Sequence, residues 1–451
     1  MPAEPVDLLC DAVRARELKR EALHLPAWDL EPRQLVDLEL LLHGACAPLC
    51  GYLDRRDYES VLERMRLAGG ELWPLPIVLD LPAAVATPLR PGARLALRHP
   101  EGMILALLTV TDLWEPDRRA EAERLFGTAD ENHPGARALL GGTGPLYAGG
   151  PLEGIEPPPH YTFTDLRLTP RQTRDLFNRL GWTSVAAFEP GLAARRAELQ
   201  RARALGAAHA DGLLVQPLTG PSGEAESLEQ IALIGACRRE LARRPEPPAA
   251  LALLPSVPRA AGERETLWRA LLRRNHGCTH LLLGERDAEG LLRRHRGELG
   301  LEVVRLPAGR GPDGWMRRPR RAAPRRRHGF TVFFTGLSGA GKSTIANILV
   351  ARLQERLDRP ITLLDGDLVR RHLSSELGFS RQHRDLNVRR IGFVAGEVTR
   401  HRGVAVCAPI APYRATRREV RDLVAAHGGF VEVYVATPLQ VCEARDRKGL
   451  Y

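Results

Sequence analysis

Lysine is nearly absent from this chain of 451 residues: of its 65 basic residues only Lys19, Lys342 and Lys448 are lysines. Where a lysine persists in so arginine-rich a chain, a point charge suits the position better than a planar fork. Long apolar runs are missing too. None approaches the ~20 residues that a bilayer-crossing helix needs, and the start, Met-Pro-Ala-Glu-Pro-Val-Asp, lacks the basic-then-apolar pattern of a signal peptide. The cytoplasm is the expected compartment. The seven cysteines are odd in number, scattered and without a C-x-x-C pair, which speaks against a disulfide framework or a zinc site and predicts reduced, mostly buried thiols. The net charge of +10 invites a nucleic-acid reading. Much of the excess, however, sits in Arg317, Arg318, Arg320, Arg321, Arg325, Arg326 and Arg327, broken by Pro319 and Pro324. That pattern, without aromatic interleaving, reads as a solvated linker, so neither nucleic acid nor membrane is expected as a partner.

The length suggests about three domains. Residues 1–165 are rich in short β-like runs: Pro74–Asp80, Ala93–Leu97 and Met103–Thr111, punctuated by Pro91-Gly92 and Pro100-Glu-Gly102, with a helical stretch over Pro32–Leu42. They read as a small β-barrel-like domain. At Thr169-Pro170 an N-cap and first-turn proline open an alternation of strands and helices running to Arg305. The strands are Val185–Phe188, Gly212–Val215, Ala250–Leu254, His280–Leu283 and Glu302–Arg305. The helices are Gly191–Leu205, Glu226–Leu241 and Glu263–Arg274. Such alternation predicts a parallel sheet of Rossmann-like α/β type over 166–306, with ligands at the carboxyl ends of its strands. The Arg/Pro-rich linker spans 307–328, and a second α/β unit fills 329–451.

That last unit carries the clearest chemistry. A β-branched and aromatic run from Thr331 to Thr335 leads into Gly336-Leu337-Ser338-Gly339-Ala340-Gly341-Lys342-Ser343-Thr344, and Ile345, Ile348, Leu349, Leu353 and Leu357 follow at helical spacing. Strand, loop and helix in this order make a phosphate loop (P-loop). The glycines free backbone N–H groups to converge on an anion, and the helix adds its dipole. Lys342 serves the β- and γ-phosphates of ATP, and the Ser343 hydroxyl can take Mg²⁺. Asp365 and Asp367 end the next strand, where a carboxylate can accept a hydroxyl proton. Arg370, Arg384 and Arg414 suggest a cationic pocket for an anionic acceptor, with Asn387 and Phe379 for polar and stacking contacts.

On these motifs, together with Ile410-Ala-Pro-Tyr-Arg414 and Arg447-Lys-Gly-Leu-Tyr451, residues 328–451 resemble adenylylsulfate (APS) kinase. The resemblance implies transfer of the ATP γ-phosphate to the ribose 3′-hydroxyl of APS, giving PAPS. It implies Asp365 as general base, with Lys342 and Ser343 catalytic, and Asp367, Arg370, Phe379, Arg384, Asn387, Ile410, Arg414 and Lys448 around APS. Ala411 stands where the family often has serine, so no phosphoserine forms there. The family continues beyond Lys-Gly-Leu-Tyr into a lid, so a longer functional protein is expected.

The first 305 residues resemble ATP sulfurylase, on Leu35–Leu42, Leu72–Asp80, Gly181-Trp182, Leu251–Pro255, Arg259–Gly262 and Leu267–His280. This implies a PUA-like N-terminal domain and a sulfurylase-type middle domain. The family's Gln-Thr-Arg-Asn-Pro and His-x-x-His are replaced: Glu189 and Gly191 occupy the first motif, Arg195 and Glu198 the second. Glu285 stands in place of the arginine of Gly-Arg-Asp-His-Ala-Gly, Gln216 replaces a histidine, and Arg259 alone remains in register. Added negative charge where two anions must meet points to a scaffold without sulfurylase turnover. Both families assemble as dimers or hexamers. Alternatives stay open at this point: a bifunctional enzyme making PAPS from sulfate and ATP, or a non-enzymatic nucleotide-binding scaffold.

Overall fold

The computed structural model describes residues 7–142, 144–191, 196–220, 228–243, 246–284, 289–307, 328–357, 359–378 and 380–444. The chain divides into two compact units: Met1–His160 with Thr164–Arg317, and Tyr161–Phe163 with Arg318–Tyr451.

The first unit opens on a mostly antiparallel sheet built around the strand Leu146–Gly154, which pairs with Ile104–Thr109, Leu79–Leu81, Asp112–Trp114 and Gly51–Tyr52. The run Pro74–Asp80 is a strand only from Leu79. Pro74 and Pro76 have no N–H to give a ladder, so Trp73, Leu75 and Ile77 enter the core from irregular backbone. The helix Pro32–Leu42 packs beside this sheet and shares its buried cluster.

The second layer is a parallel sheet in the order Ala249–Leu251, Gly212–Val215, Val185–Phe188, His280–Leu283, Glu302–Arg305. Thr169 caps the helix Pro170–Leu180 through its side chain, and Gln172 returns a bond to the Thr169 backbone. Two expectations shift. The run Ala250–Leu254 splits, because the Ala252 N–H bonds Val215 while Leu254–Pro255 leaves to pair with Leu218–Thr219. The helices before it run on past their expected ends at Leu205 and Leu241, to His209 and Arg243, while residues 192–195 and 221–227 near their expected starts lie outside the described residues.

The C-terminal unit is a four-stranded parallel sheet among the described residues, ordered Ile361–Asp365, Val404–Ala408, Phe330–Thr335, Gly429–Tyr434. Its central strand feeds the phosphate loop, and helices Lys342–Arg356, Arg381–Arg400 and Arg414–Ala425 cover it. Five cysteines are buried; Cys50 is exposed and Cys10 partly so, and all seven are free thiols.

One buried carboxyl stands out in the first sheet. Glu121 Oε2 accepts hydrogen bonds from Tyr58 (2.9 Å) and Tyr147 (3.0 Å). Desolvation pushes its pKa up to about 7, against the opposing pull of those bonds and of Arg33 and Arg118. A raised folded-state pKa means the folded protein holds the proton more tightly. The stabilisation is therefore complete below pH ~4.5 and lost as pH rises through about 7, an effect on the order of 3 kcal/mol. Urea midpoints of the wild type should fall over that window, and Glu121→Gln should flatten this part of the slope. Equal slopes in the two proteins would refute the assignment.

Candidate active site

The phosphate loop leaves the carboxyl end of the central strand with glycines at three left-handed positions: Gly336 (φ 150°), Gly339 (φ 70°) and Gly341 (φ 88°), the last capping the helix that begins at Lys342. A Cβ on Gly336 would lie 2.8 Å from the Val435 carbonyl. Neighbours clamp the loop from outside. Thr437 Oγ1 donates to the Ala340 carbonyl at 2.8 Å, and Thr335 Oγ1 donates to the carbonyls of Ile410 (2.9 Å) and Ala411 (3.1 Å). Lys342 is 7% exposed, and its Nζ donates to the Leu337 carbonyl of its own loop at 2.6 Å. Ser343 Oγ donates to Asp365 Oδ2 at 2.6 Å. Thr344, in the first helical turn, is half-buried. Cation, hydroxyl and carboxylate thus lie along the ends of two strands, where parallel sheets bind ligands.

On the acceptor side, Arg384 and Asn387 are three residues apart on the helix Arg381–Arg400, so they share a face. Asn387 is 5% exposed, and its Oδ1 has no hydrogen-bond partner among the described residues. A buried amide oxygen left unpaired costs about 1–3 kcal/mol, which a ligand donor would recover. Arg370 Nη1 donates to the carbonyls of Leu377 (3.2 Å) and Gly378 (3.4 Å), and Ile410 is exposed. Arg414 stands apart from the expected convergence: it lines a cleft with Arg417, Arg418, Arg421 and Glu432. The first turn of its helix directs it along that helix's own arginine row. The side chain of Asp367, all of Phe379 and Lys448 lie outside the described residues.

Three contributors carry no sequence motif: Thr335, Thr437 and Arg417. Arg417 donates to the carbonyls of Ala411 (2.9 Å) and Pro412 (3.1 Å) and pairs with Glu432 at 2.8 Å. Thr335 and Arg417 both donate to the carbonyl of Ala411, which sits at φ 43°, a left-handed position for a residue with a Cβ. Thr335 ends its strand and Thr437 lies just beyond Gly429–Tyr434, both on the ligand edge, which is the signal that could have found them.

The corresponding edge of the middle sheet has another character. Glu189, just past Val185–Phe188, accepts from Arg269 (2.9 Å) and Arg273 (2.6 Å). The negative charge expected there is met by these two guanidiniums, which arrive from the helix Gly262–Asn275. Arg259 is occupied as well, pairing with buried Asp37 and lying 4.9 Å from the Trp268 ring centre. Gly191 is exposed with open space where a side chain would be, and Glu198 is half-buried in the first turn of its helix. Gln216 is fully buried with both amide atoms unpaired among the described residues. Arg195 and Glu285 lie outside the described residues. Among the described residues no cluster of His, Cys, Asp or Glu could hold a metal, and no helix is long and apolar enough to cross a membrane.

A PUA-like domain model matches residues 3–157, an ATP-sulfurylase model 164–293 and an adenylylsulphate kinase model 328–451. Relatives named sulfate adenylyltransferase, from Gibberella zeae and Aspergillus fumigatus, are 38% and 37% identical over 504 and 510 residues. The alignments cover 98% and 99% of this chain and 88% of each relative. The chain belongs to the ATP sulfurylase–APS kinase family. A solved structure described as a hexameric APS kinase from Thiobacillus denitrificans matches this family member with a TM-score of 0.59 and 38% identity, covering 96% of this chain and 91% of that one. The three-domain order, PUA-like, sulfurylase, APS kinase, is that of the family.

In this ATP sulfurylase–APS kinase chain, Gly336→Ala combines a forbidden φ with a collision against the Val435 carbonyl. It should weaken ATP binding by about tenfold or more, as strain of about 1–3 kcal/mol implies. Calorimetric titration with ATP is the check, and an unchanged affinity would contradict the loop geometry.

Proposed function

We propose that the C-terminal unit is an APS kinase and that the sulfurylase-like domain is a scaffold without sulfurylase turnover. In this reading residues 1–165 are the PUA-like domain, 166–306 the scaffold, 307–328 a linker and 329–451 the kinase, acting in the cytoplasm. The observation that carries the first half is the side-by-side set Lys342, Ser343 and Asp365 at the mouth of the phosphate loop.

The loop N–H groups and the helix N-terminus receive the ATP phosphates, and Lys342 leaves the Leu337 carbonyl to reach the β- and γ-phosphates. Asp365 takes the proton of the APS 3′-hydroxyl as that oxygen bonds to the γ-phosphorus and the bond from phosphorus to the β–γ bridging oxygen breaks. ADP leaves with the electron pair. Asn387, Arg384 and Arg370, with Asp367, Phe379, Ile410 and Lys448 carried over from the family, orient APS. The Ser343 hydroxyl beside a carboxylate suits a hard cation with oxygen ligands, and Ser343 would hold Mg²⁺. Bound there, Mg²⁺ neutralises charge that builds on the transferring phosphoryl.

The second half is supported by Glu189 on Arg269 and Arg273, which leaves those cations neutralised where sulfate and ATP phosphates would need them. The relative from Thiobacillus denitrificans carries a kinase name over nearly the whole length. Its description as hexameric also favours a homo-oligomer here. One observation favours a second reading, a bifunctional enzyme making PAPS from sulfate and ATP: the fungal relatives are named sulfate adenylyltransferase.

Two assays on the full chain separate these readings. PAPS should form from APS and ATP, whereas ATP should not form from APS and pyrophosphate. Turnover in the second assay at ordinary enzyme rates, within the usual span of about 1–1000 s⁻¹, would establish the bifunctional reading. Lys342→Ala should lower PAPS formation at least about a thousandfold, and Asn387→Ala should chiefly raise KM for APS, by about tenfold. Retained activity in Lys342→Ala would remove the kinase assignment.

A further inference from the structure

Eight side chains of the N-terminal unit form one ladder of alternating charge. Asp80, in the strand Leu79–Leu81, pairs with Arg33, and Arg33 donates to Asp37 Oδ2 at 3.0 Å. Asp37 is fully buried, and its other oxygen takes Arg259. The Arg259 backbone N–H donates to Glu265 Oε2 at 3.3 Å, and Glu265 Oε1 pairs with Arg269. Arg269 donates to Glu189 Oε1 at 2.9 Å, and Glu189 Oε2 takes Arg273 at 2.6 Å. Four guanidiniums meet four carboxylates in this ladder.

The last rung differs from the others in its position. Glu189 follows the carboxyl end of Val185–Phe188, the edge at which parallel sheets receive ligands. Arg269 and Arg273 are one turn apart on a single helix, and each gives one N–H to a different Glu189 oxygen. The Arg273 side chain is 2% exposed, so its charge cannot be met by water alone. Two converging donors of this kind match a small tetrahedral oxyanion as well as a carboxylate.

We propose that Glu189 is a built-in anion: Arg269 and Arg273 form a seat for a sulfate- or phosphate-like oxyanion, and the chain's own carboxylate fills it. Removing the Glu189 charge leaves the ladder one positive charge in excess at the ligand edge, and an external oxyanion then takes the vacated place. This rests on reading the middle domain as free of turnover, which the pyrophosphate assay on the unaltered chain tests separately.

The test compares thermal unfolding of the full chain and of Glu189→Gln in sodium sulfate and in sodium chloride of equal ionic strength. The phosphate loop is the same in both proteins, so its own response to sulfate cancels. Glu189→Gln should be less stable in chloride and should recover with sulfate, binding it about tenfold more tightly than the unaltered chain does. Glu189→Asp keeps the charge on a shorter stem and should respond to sulfate no more than the unaltered chain does. Adding Arg269→Ala to Glu189→Gln should abolish the recovery. The proposal is overturned if sulfate acts equally on wild type and Glu189→Gln, if Glu189→Asp responds as strongly as Glu189→Gln, or if Glu189→Gln fails to fold in sulfate as well as in chloride.

Discussion

A helix begins with N–H groups that have no partner in the helix, and the C-terminal unit places that unmet demand at the end of a buried strand. Everything around Gly336–Lys342 follows from keeping those donors converged and dry-backed without filling them permanently. The backbone must turn through left-handed φ values, so glycine is required at the turns. The loop must also be held from behind, which Thr437 does through the Ala340 carbonyl. Lys342 donates its ammonium to the Leu337 carbonyl of the same loop. The loop is thus preorganised in its backbone and adjustable in one side chain.

The middle sheet faces the same geometric opportunity with a different electrostatic answer. Its carboxyl edge also gathers cations, but each one in the ladder meets a carboxylate from the chain itself. Reactions that join two anions need positive charge that remains available at the moment of bond formation. Matched pairs provide rigidity in its place, and breaking a buried pair by removing one partner costs about 3–5 kcal/mol. The ladder spans the helix Pro32–Leu42, the strand Leu79–Leu81 and the helix Gly262–Asn275, so it ties the first sheet to the second.

Regular elements were readable from the sequence where one force dominated. Pro32–Leu42, Gly212–Val215, His280–Leu283 and Glu302–Arg305 have the same bounds in sequence and structure, since proline, glycine or charged residues bracket short apolar runs. Reading failed at Pro74–Asp80 and at Ala250–Leu254. At the first, the hydrophobic signal is genuine, but Pro74 and Pro76 withdraw N–H groups that a ladder needs; at the second, the run divides between two sheets, Ala249–Leu251 pairing with Gly212–Val215 and Leu254–Pro255 with Leu218–Thr219. At the site, the phosphate loop was legible because its residues are contiguous. The partners of Glu189 were not, since Arg269 and Arg273 lie 80 and 84 residues away and nothing local marks them. Arg414 was misjudged for a related reason: its row mates Arg417, Arg418 and Arg421 sit at helical spacing, a pattern that fixes a face but not the direction it looks.

The contrast between the two edges explains how one chain can keep two related architectures with unequal chemical equipment. In both parallel sheets the strands are buried by alternating layers of aliphatic side chains, and these residues are separate from the loops beyond the strand ends. Exchange of a loop residue therefore leaves the core untouched, as long as any charge it introduces finds a partner. Glu189 meets that condition through two arginines, so the fold accommodates its charge. The phosphate loop has no such freedom. Its function depends on backbone groups, and changing Gly336 would press a side chain against the Val435 carbonyl of the neighbouring chain segment. A site made of side chains can be lost one residue at a time, whereas a site made of backbone is retained for as long as its turn is.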